Sequence, residues 1–483
     1  MNAHMSEQMS EQMRAPDGSV VLDVLLGDAL AGWLSHHAAS NRFAFNYAPT
    51  WLTEPTAYPL SPGLPLHPPG QTAEAHSTSV RQFFENLLPE GRALDEAASA
   101  NNLSKSNLIG LMLALGGETS GAVRLCLHND AANAANIANA GSNQATPTLR
   151  RALLPAELSD RIRARPYQAF SVWDGKVRLS IAGFQDKIAV FKEGDEWFFV
   201  EGSELASTVI LKPEPSNPDL AGLASNEFFC MTLAHSIGLP VAQVALRHVP
   251  QLVLEVLRFD RVKQTPAQPA QSIQTPTCIK RLHVFDGCQA LGISPMLKYE
   301  RPYGDNEHVR HIRDGASLPR LFHLLESSKN PAAQRLQLLR WVLFQVLIGN
   351  TDAHAKNLSF FCDPQGFYLT PAYDLVSILA CDNAGIEDAF AMAIGDAFRE
   401  HEFSALEWAY FAFACHLRPS FVAREMKKMM AKIKASLAGC CATAQSAGAD
   451  MAVVNDVCKV VQRLCARHEG IVGQIVKVDP ALF

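Results

Sequence analysis

Ile348-Gly349-Asn350-Thr351-Asp352-Ala353-His354-Ala355-Lys356-Asn357 gathers a carboxylate, an imidazole, an ammonium and two amides directly after an apolar run, Leu336 to Gly349. That run is interrupted by Arg340 and Gln345 and falls short of the roughly 20 apolar residues that span a bilayer. It reads as a buried helix ending at Gly349, the residue type that most readily adopts the left-handed helix stop. The polar residues then occupy a loop. A carboxylate and an amide five residues apart suit phosphoryl transfer, since one orients and deprotonates an attacking hydroxyl and the other completes a magnesium shell. Asp352 and Asn357 have that spacing.

Downstream, Leu358 to Phe361 and Phe367 to Thr370 read as short strands, and Asp374 follows the second one in Tyr368-Leu369-Thr370-Pro371-Ala372-Tyr373-Asp374. An acid there can bridge magnesium to phosphates, because Mg²⁺ takes few protein ligands and several phosphate or water oxygens. Upstream, Lys212 ends the apolar strand Val209-Ile210-Leu211, an expected place for a cation that pairs with ATP phosphates. Glu227, on a helix spanning about Ala221 to Ile237 and stopped by Gly238 and Pro240, is its expected ion-pair partner. Farther upstream, Ser180-Ile181-Ala182-Gly183-Phe184-Gln185-Asp186-Lys187 joins two strand-like runs, so amides around Gly183 can approach phosphate oxygens.

Each residue alone has an ordinary reading. Asp and Asn after a helix are most often turn or capping residues. Lys212 and Glu227 could be solvated charges, and His354 could brace the loop as readily as touch a nucleotide. The order of the segments along the chain favours phosphoryl transfer.

These segments resemble the phosphate loop, catalytic loop and metal-binding segment of HipA-like toxin kinases. Two further stretches join them: Arg281 to Glu300 (RLHVFDGCQALGISPMLKYE) resembles the family's segment between lobes, and Leu254 to Arg261 (LEVLRFDR) its hinge. The resemblance runs from about Val20 into the C-terminal helices. It implies an α+β, two-lobed protein-kinase-like fold with a small N-terminal α+β domain and a mainly helical C-terminal lobe.

Position by position, the resemblance implies an ATP site at Ala182, Gly183, Phe184, Gln185, Asp186, Lys187, Lys212, Leu257, Arg258, Phe259, His354, Ala355, Lys356, Asn357, Tyr373 and Asp374. Asp352 takes the base position, and Asn357 with Asp374 the metal positions. Ser180 matches the family's autophosphorylated serine, where phosphate would place about -1.5 to -2 charge in a loop built for ATP phosphates. The implied activity is Mg·ATP-dependent phosphorylation of a protein serine or threonine, with an aminoacyl-tRNA synthetase as the kind of target and growth arrest as the outcome. The implied partner is a small helix-turn-helix antitoxin, with DNA reached only through it. Phe184, Asp186 and an insertion from Gln264 to Thr277 depart from the family pattern without removing a catalytic group. Two competing readings are a catalytically silent, kinase-shaped corepressor and a small-molecule kinase.

Composition agrees with a packed protein of several domains. The chain has 483 residues, 48% hydrophobic and 19% charged, with a formal net charge of -6 that does not draw the whole molecule to nucleic acid or an acidic membrane. Its 11 cysteines include no CxxC pair, which fits reduced thiols in a cytoplasmic protein, and the polar N-terminus has no apolar signal segment. We expect a disordered tail over 1–18, an N-terminal domain over 19–128, a linker over 129–150, a kinase N-lobe over 151–262, an inserted loop over 263–279 and a helical C-lobe over 280–483. The Pro-rich segment Tyr58 to Gly70 is expected as a surface loop, and the basic run Arg424 to Lys434 as a solvated helix face.

Overall fold

The computed structural model describes residues 19–68, 70–128, 149–178, 185–202, 204–264, 278–381 and 388–483. The chain divides into two compact units, Met1–Ile210 with Arg258–Phe285 and Phe361–Gln365, and Leu211–Leu257 with Asp286–Phe360 and Gly366–Phe483.

In the first unit, Ser19–Leu26, Ala29–His37, Arg42–Tyr47 and Val123–Leu127 form an antiparallel sheet in the spatial order third, second, first, fourth. Alternation explains its buried face: Leu22, Val24 and Leu26 sit two residues apart and all are buried. The helices Ala73–Glu85 and Leu108–Leu115 pack on its outer strands. Each helix begins at a side-chain cap, Thr72 accepting from Ala75 N at 3.2 Å and Asn107 from Gly110 N at 3.0 Å. A second antiparallel set joins Glu196–Glu201 to Leu149–Leu153 and to Ile188–Glu193. Arg261–Gln264 pairs with Cys278–Arg281, so the two ends of the expected insertion meet at Gln264 and Cys278, while 265–277 lie outside the described residues.

The Pro-rich segment is not the plain surface loop expected. Leu60, Ser61 and Leu64 are buried, and Tyr47 Oη ties the loop to the sheet by accepting from Leu60 N at 2.8 Å and donating to Leu64 O. Side-chain hydrogen bonds replace the backbone pairing that prolines forbid.

In the second unit, Leu223–Ser236 is buried on nearly every side. One side meets the antiparallel hairpin of Val244–His248 and Leu252–Leu257, and the long helices Pro419–Ser446 and Met451–Ile471 cover another. The four-residue steps of Phe229, Leu233 and Ile237 revealed only part of that burial. Pro331–Ile348 also lies against both long helices and stops at Gly349, whose φ is +69°. A Cβ at Gly349 would come within 3.0 Å of Leu379 and of Val460, so backbone conformation and packing both demand glycine. No helix among the described residues is long and apolar enough to cross a membrane.

Candidate active site

The second unit brings together Lys212, Glu227, Asp374 and the loop from Gly349 to Asn357. Lys212 ends up 6% exposed, with Nζ 2.7 and 2.9 Å from the two Glu227 oxygens and 2.7 Å from Asp374 Oδ1. Burial works to lower the Lys212 pKa, but the carboxylates of Asp374 and Glu227 outweigh it and raise it above the ordinary lysine range. Glu227 is 1% exposed, whereas the Asp374 side chain keeps about a third of its surface open. The buried carboxylate therefore fixes the ammonium, and the more open one shares it. Asp374 has φ +57°, a left-handed conformation that Asp and Asn tolerate better than most residues.

The loop from Gly349 to Asn357 is held through its own backbone. Leu379 N donates to Gly349 O at 3.0 Å, Ala391 N to Thr351 O at 2.8 Å, and Ala355 N to Lys298 O at 3.1 Å. Asn350, 1% exposed, joins three parts of the site: its Oδ1 accepts from Asp352 N at 3.1 Å, and its Nδ2 reaches Gln345 Oε1 at 2.9 Å and Asp374 O at 3.4 Å. Asn357 Nδ2 donates to Asp352 O at 2.9 Å, which fixes the amide plane and its oxygen. One hydrogen-bonded chain thus connects Asp374, Asn350, Asp352 and Asn357.

Asp352 Oδ1 accepts from the hydroxyl of Tyr299 at 2.6 Å, and the Tyr299 ring lies edge-on to His354 with centroids 5.1 Å apart. Burial, followed by the Lys298 ammonium, pushes His354 down to about 3, so its imidazole is neutral at physiological pH. Lys356 Nζ lies 2.6 Å from Asp286 Oδ2, and Asp286 in turn caps the helix Gly287–Leu291. Tyr373 Oη bonds Ser359 Oγ at 2.7 Å and Lys356 O at 2.8 Å. Ala355 is fully buried beneath these groups. Lys356 and Tyr373 are accordingly engaged in holding the loop, and the buried His354 ring packs against Tyr299.

Two family models match the chain, the HipA N-terminal domain over residues 22–126 and the HipA-like C-terminal domain over residues 179–437. The serine/threonine-protein kinase toxin HipA of Shewanella oneidensis is 36% identical over 422 residues, 87% of this chain and 89% of that protein. The chain belongs to the HipA family.

A putative kinase, Y4mE, of Sinorhizobium fredii is 33% identical over 374 residues, covering 76% of this chain and 79% of its own. The solved complex of Shewanella oneidensis HipA, HipB and operator DNA contains a chain that matches with TM-score 0.79 and 33% identity, covering 95% of this chain and all of that one. The fold is therefore the α+β, two-lobed, kinase-like HipA fold, and the enzyme class is that of a HipA-type serine/threonine kinase.

The remaining HipA-family site positions fall elsewhere. Ser180, Ala182, Gly183 and Phe184 lie outside the described residues. Gln185 and Lys187 are half-buried in the first unit, where the Asp186 carboxylate faces Arg165 at 3.3 Å. Arg258 is 4% exposed, and its guanidinium is turned into a buried cluster with Glu118 at 3.2 Å and Asp260 at 2.8 Å. Its backbone N–H is engaged as well, donating to Thr208 O at 2.9 Å. Phe259 packs edge-on against Phe361, and Leu257 is 41% exposed.

The side chains of the second unit suit a nucleotide's phosphates and a hard cation. Lys212 presents a fixed, fully charged ammonium, and Asp374 and Asn357 are oxygen donors of the kind Mg²⁺ prefers. Among the described residues no cluster of three or more His, Cys, Asp or Glu forms an all-protein metal cage. A cation at Asp374 and Asn357 would thus complete its shell with phosphate and water.

Asn350, Tyr299 and Asn226 were missed in sequence reasoning. Asn226 is 1% exposed and clamps Ser377 through both its main-chain N–H (2.8 Å) and carbonyl (2.9 Å), tying Glu227's helix to the segment after Asp374. For Asn350 a signal existed, an Asx residue two positions before a loop carboxylate. Tyr299 and Asn226 had none, because their partners are 53 and 151 residues away.

Tyr299→Phe is expected to lower kcat by about 10- to 100-fold, the value of one hydrogen bond to a charged group, with KM for ATP unchanged. In an Asp352→Asn background the same change should have little further effect, because both act through one carboxylate. Steady-state kinetics of the four proteins decide it: equal loss in both backgrounds would remove Tyr299 from this role.

Proposed function

We propose that this HipA-family chain transfers the γ-phosphoryl group of Mg·ATP to a serine or threonine hydroxyl of a protein. The observation that carries the reading is the shared lysine: Lys212 bridges a buried and a half-open carboxylate at 2.7 Å each, while Asn350 links Asp374 to the Asp352 loop. Asp352 orients the acceptor hydroxyl and takes its proton, with Tyr299 fixing one carboxylate oxygen so that the other faces the acceptor. Lys212 pairs with ATP phosphates, and Glu227 keeps its ammonium in place. Held by Asp374 and Asn357, magnesium would supply charge neutralisation between the phosphates. Most of the acceleration comes from alignment and electrostatic preorganisation.

The finer biology rests on family membership. We infer a toxin role, a translation-related target such as an aminoacyl-tRNA synthetase, and autophosphorylation at Ser180. The solved Shewanella relative is a complex with HipB and operator DNA, which supports a small DNA-binding antitoxin as this chain's partner, with DNA contacted through it. We take 19–128 as the N-terminal domain, 151–262 as the kinase N-lobe and 280–483 as the helical C-lobe.

Purified protein given γ-labelled ATP and Mg²⁺ should place label on serine or threonine, including Ser180 in a phosphopeptide map. Asp374→Asn, which keeps the left-handed backbone but removes the charge, should lose at least about 100-fold of that incorporation. Label found on a metabolite alone, or undiminished in Asp374→Asn, would overturn the reading.

A further inference from the structure

The helices Pro419–Ser446 and Met451–Ile471 are joined by residues 447–450 and pack side by side. Cys441 lies on the first and Cys458 on the second. Their Sγ atoms are 3.4 Å apart, and both residues are half-buried, within reach of a small solute. The adjacent Cys440 differs: it is buried and its Sγ turns to Ser236 Oγ at 3.4 Å. Consecutive helical residues point about 100° apart, so only one of the vicinal pair faces the second helix.

A disulfide needs its sulfurs at about 2.05 Å, a closure of about 1.3 Å from the present contact. Small side-chain rotations on helices already packed together can supply it. Burial, and then contact with Cys441, raises the Cys458 thiol above the ordinary cysteine range.

We propose that Cys441 and Cys458 form an oxidisable dithiol, a modification site at which a hydroperoxide produces a disulfide stapling the two C-terminal helices. Cys441 sulfur attacks the peroxide, the O–O bond breaks, and the sulfur becomes a sulfenic acid as two electrons pass to the peroxide, which leaves as alcohol or water. Cys458 sulfur then displaces the hydroxyl from Cys441, the S–S bond forms, and the Cys458 proton leaves with that hydroxyl as water. The staple sits behind the catalytic loop. Val460, two residues past Cys458 on the same helix, is the residue whose Cγ1 would meet a Cβ at Gly349 within 3.0 Å. Oxidation therefore fixes the helix against which the loop's first glycine is packed.

The full chain should be treated with a few equivalents of hydrogen peroxide, its remaining thiols alkylated, and the protein cleaved before Asp450 and Asp456. These cuts separate Cys441 from Cys458, which no Lys or Arg does between Lys434 and Lys459. The expected product is a disulfide-linked fragment pair, lost in Cys441→Ser and Cys458→Ser, kept in Cys440→Ser and reversed by dithiothreitol. Native protein should gain about 6 °C in Tm on oxidation, as closing a loop of this size predicts for a unit of this length, and the two single variants should not. A link through Cys440, Cys441 stopping at the sulfinic acid, or no linked fragments at peroxide levels that oxidise methionine would each overturn the proposal.

Discussion

Asp352→Asn is expected to lower phosphoryl transfer by about 10²- to 10⁴-fold, the usual worth of a positioned general base, while leaving the fold intact. The amide replaces the carboxylate with the same shape, so the Tyr299 hydroxyl still finds an acceptor at Oδ1 and Asp352 N still donates to Asn350. What disappears is the basicity that receives the acceptor's proton. Single-turnover kinetics with γ-labelled ATP read the chemical step directly. KM for ATP should change little, because in the proposed site the phosphates would meet Lys212 and the magnesium held by Asp374 and Asn357, and not Asp352. The loss should also be independent of pH between about 6 and 8: a neutral His354, pushed down to about 3, offers no substitute proton acceptor that titrates in this range. A variant within about threefold of the native rate would show that Asp352 serves the loop as a turn residue only.

The elements that could be read from the sequence are those whose signal is local. Gly349 ended a helix because its φ and its contact with Val460 both favour glycine. Lys212 after three β-formers, with Glu227 15 residues on, lies in the expected ion pair. What stayed hidden depends on distant partners. Arg258 gave no sign that its guanidinium would be drawn into a buried cluster with Glu118, 140 residues away. The Pro-rich segment concealed its burial because Tyr47, which ties it down, sits on a strand before it. The basic run keeps the solvated face expected of it, with Arg424, Lys427, Lys428, Lys432 and Lys434 all exposed, while Lys432 also donates to Ile237 O at 2.8 Å and Lys434 lies 2.6 Å from Glu469 at the surface.

Lys212→Met should destabilise the protein by about 3–5 kcal/mol, because it withdraws the ammonium that neutralises a carboxylate 1% exposed to solvent. Glu227→Gln should cost less, since the ammonium then still faces Asp374 at 2.7 Å. The combination Lys212→Met with Glu227→Leu separates stability from catalysis. Removing both charges abolishes the uncompensated ion, so the double variant should recover most of the stability lost in Lys212→Met, as buried ion pairs replaced by apolar residues often do. Activity should not recover, because no cation is left to pair with phosphates and to hold Asp374 in register. Urea denaturation gives the stabilities, and phosphate incorporation with ATP titration gives the second axis. A double variant that regains both stability and transfer would make the Lys212 ion pair a packing device alone. A double variant stable yet inactive, with Glu227→Gln showing a raised KM for ATP, assigns the lysine to the phosphates and the glutamate to its placement.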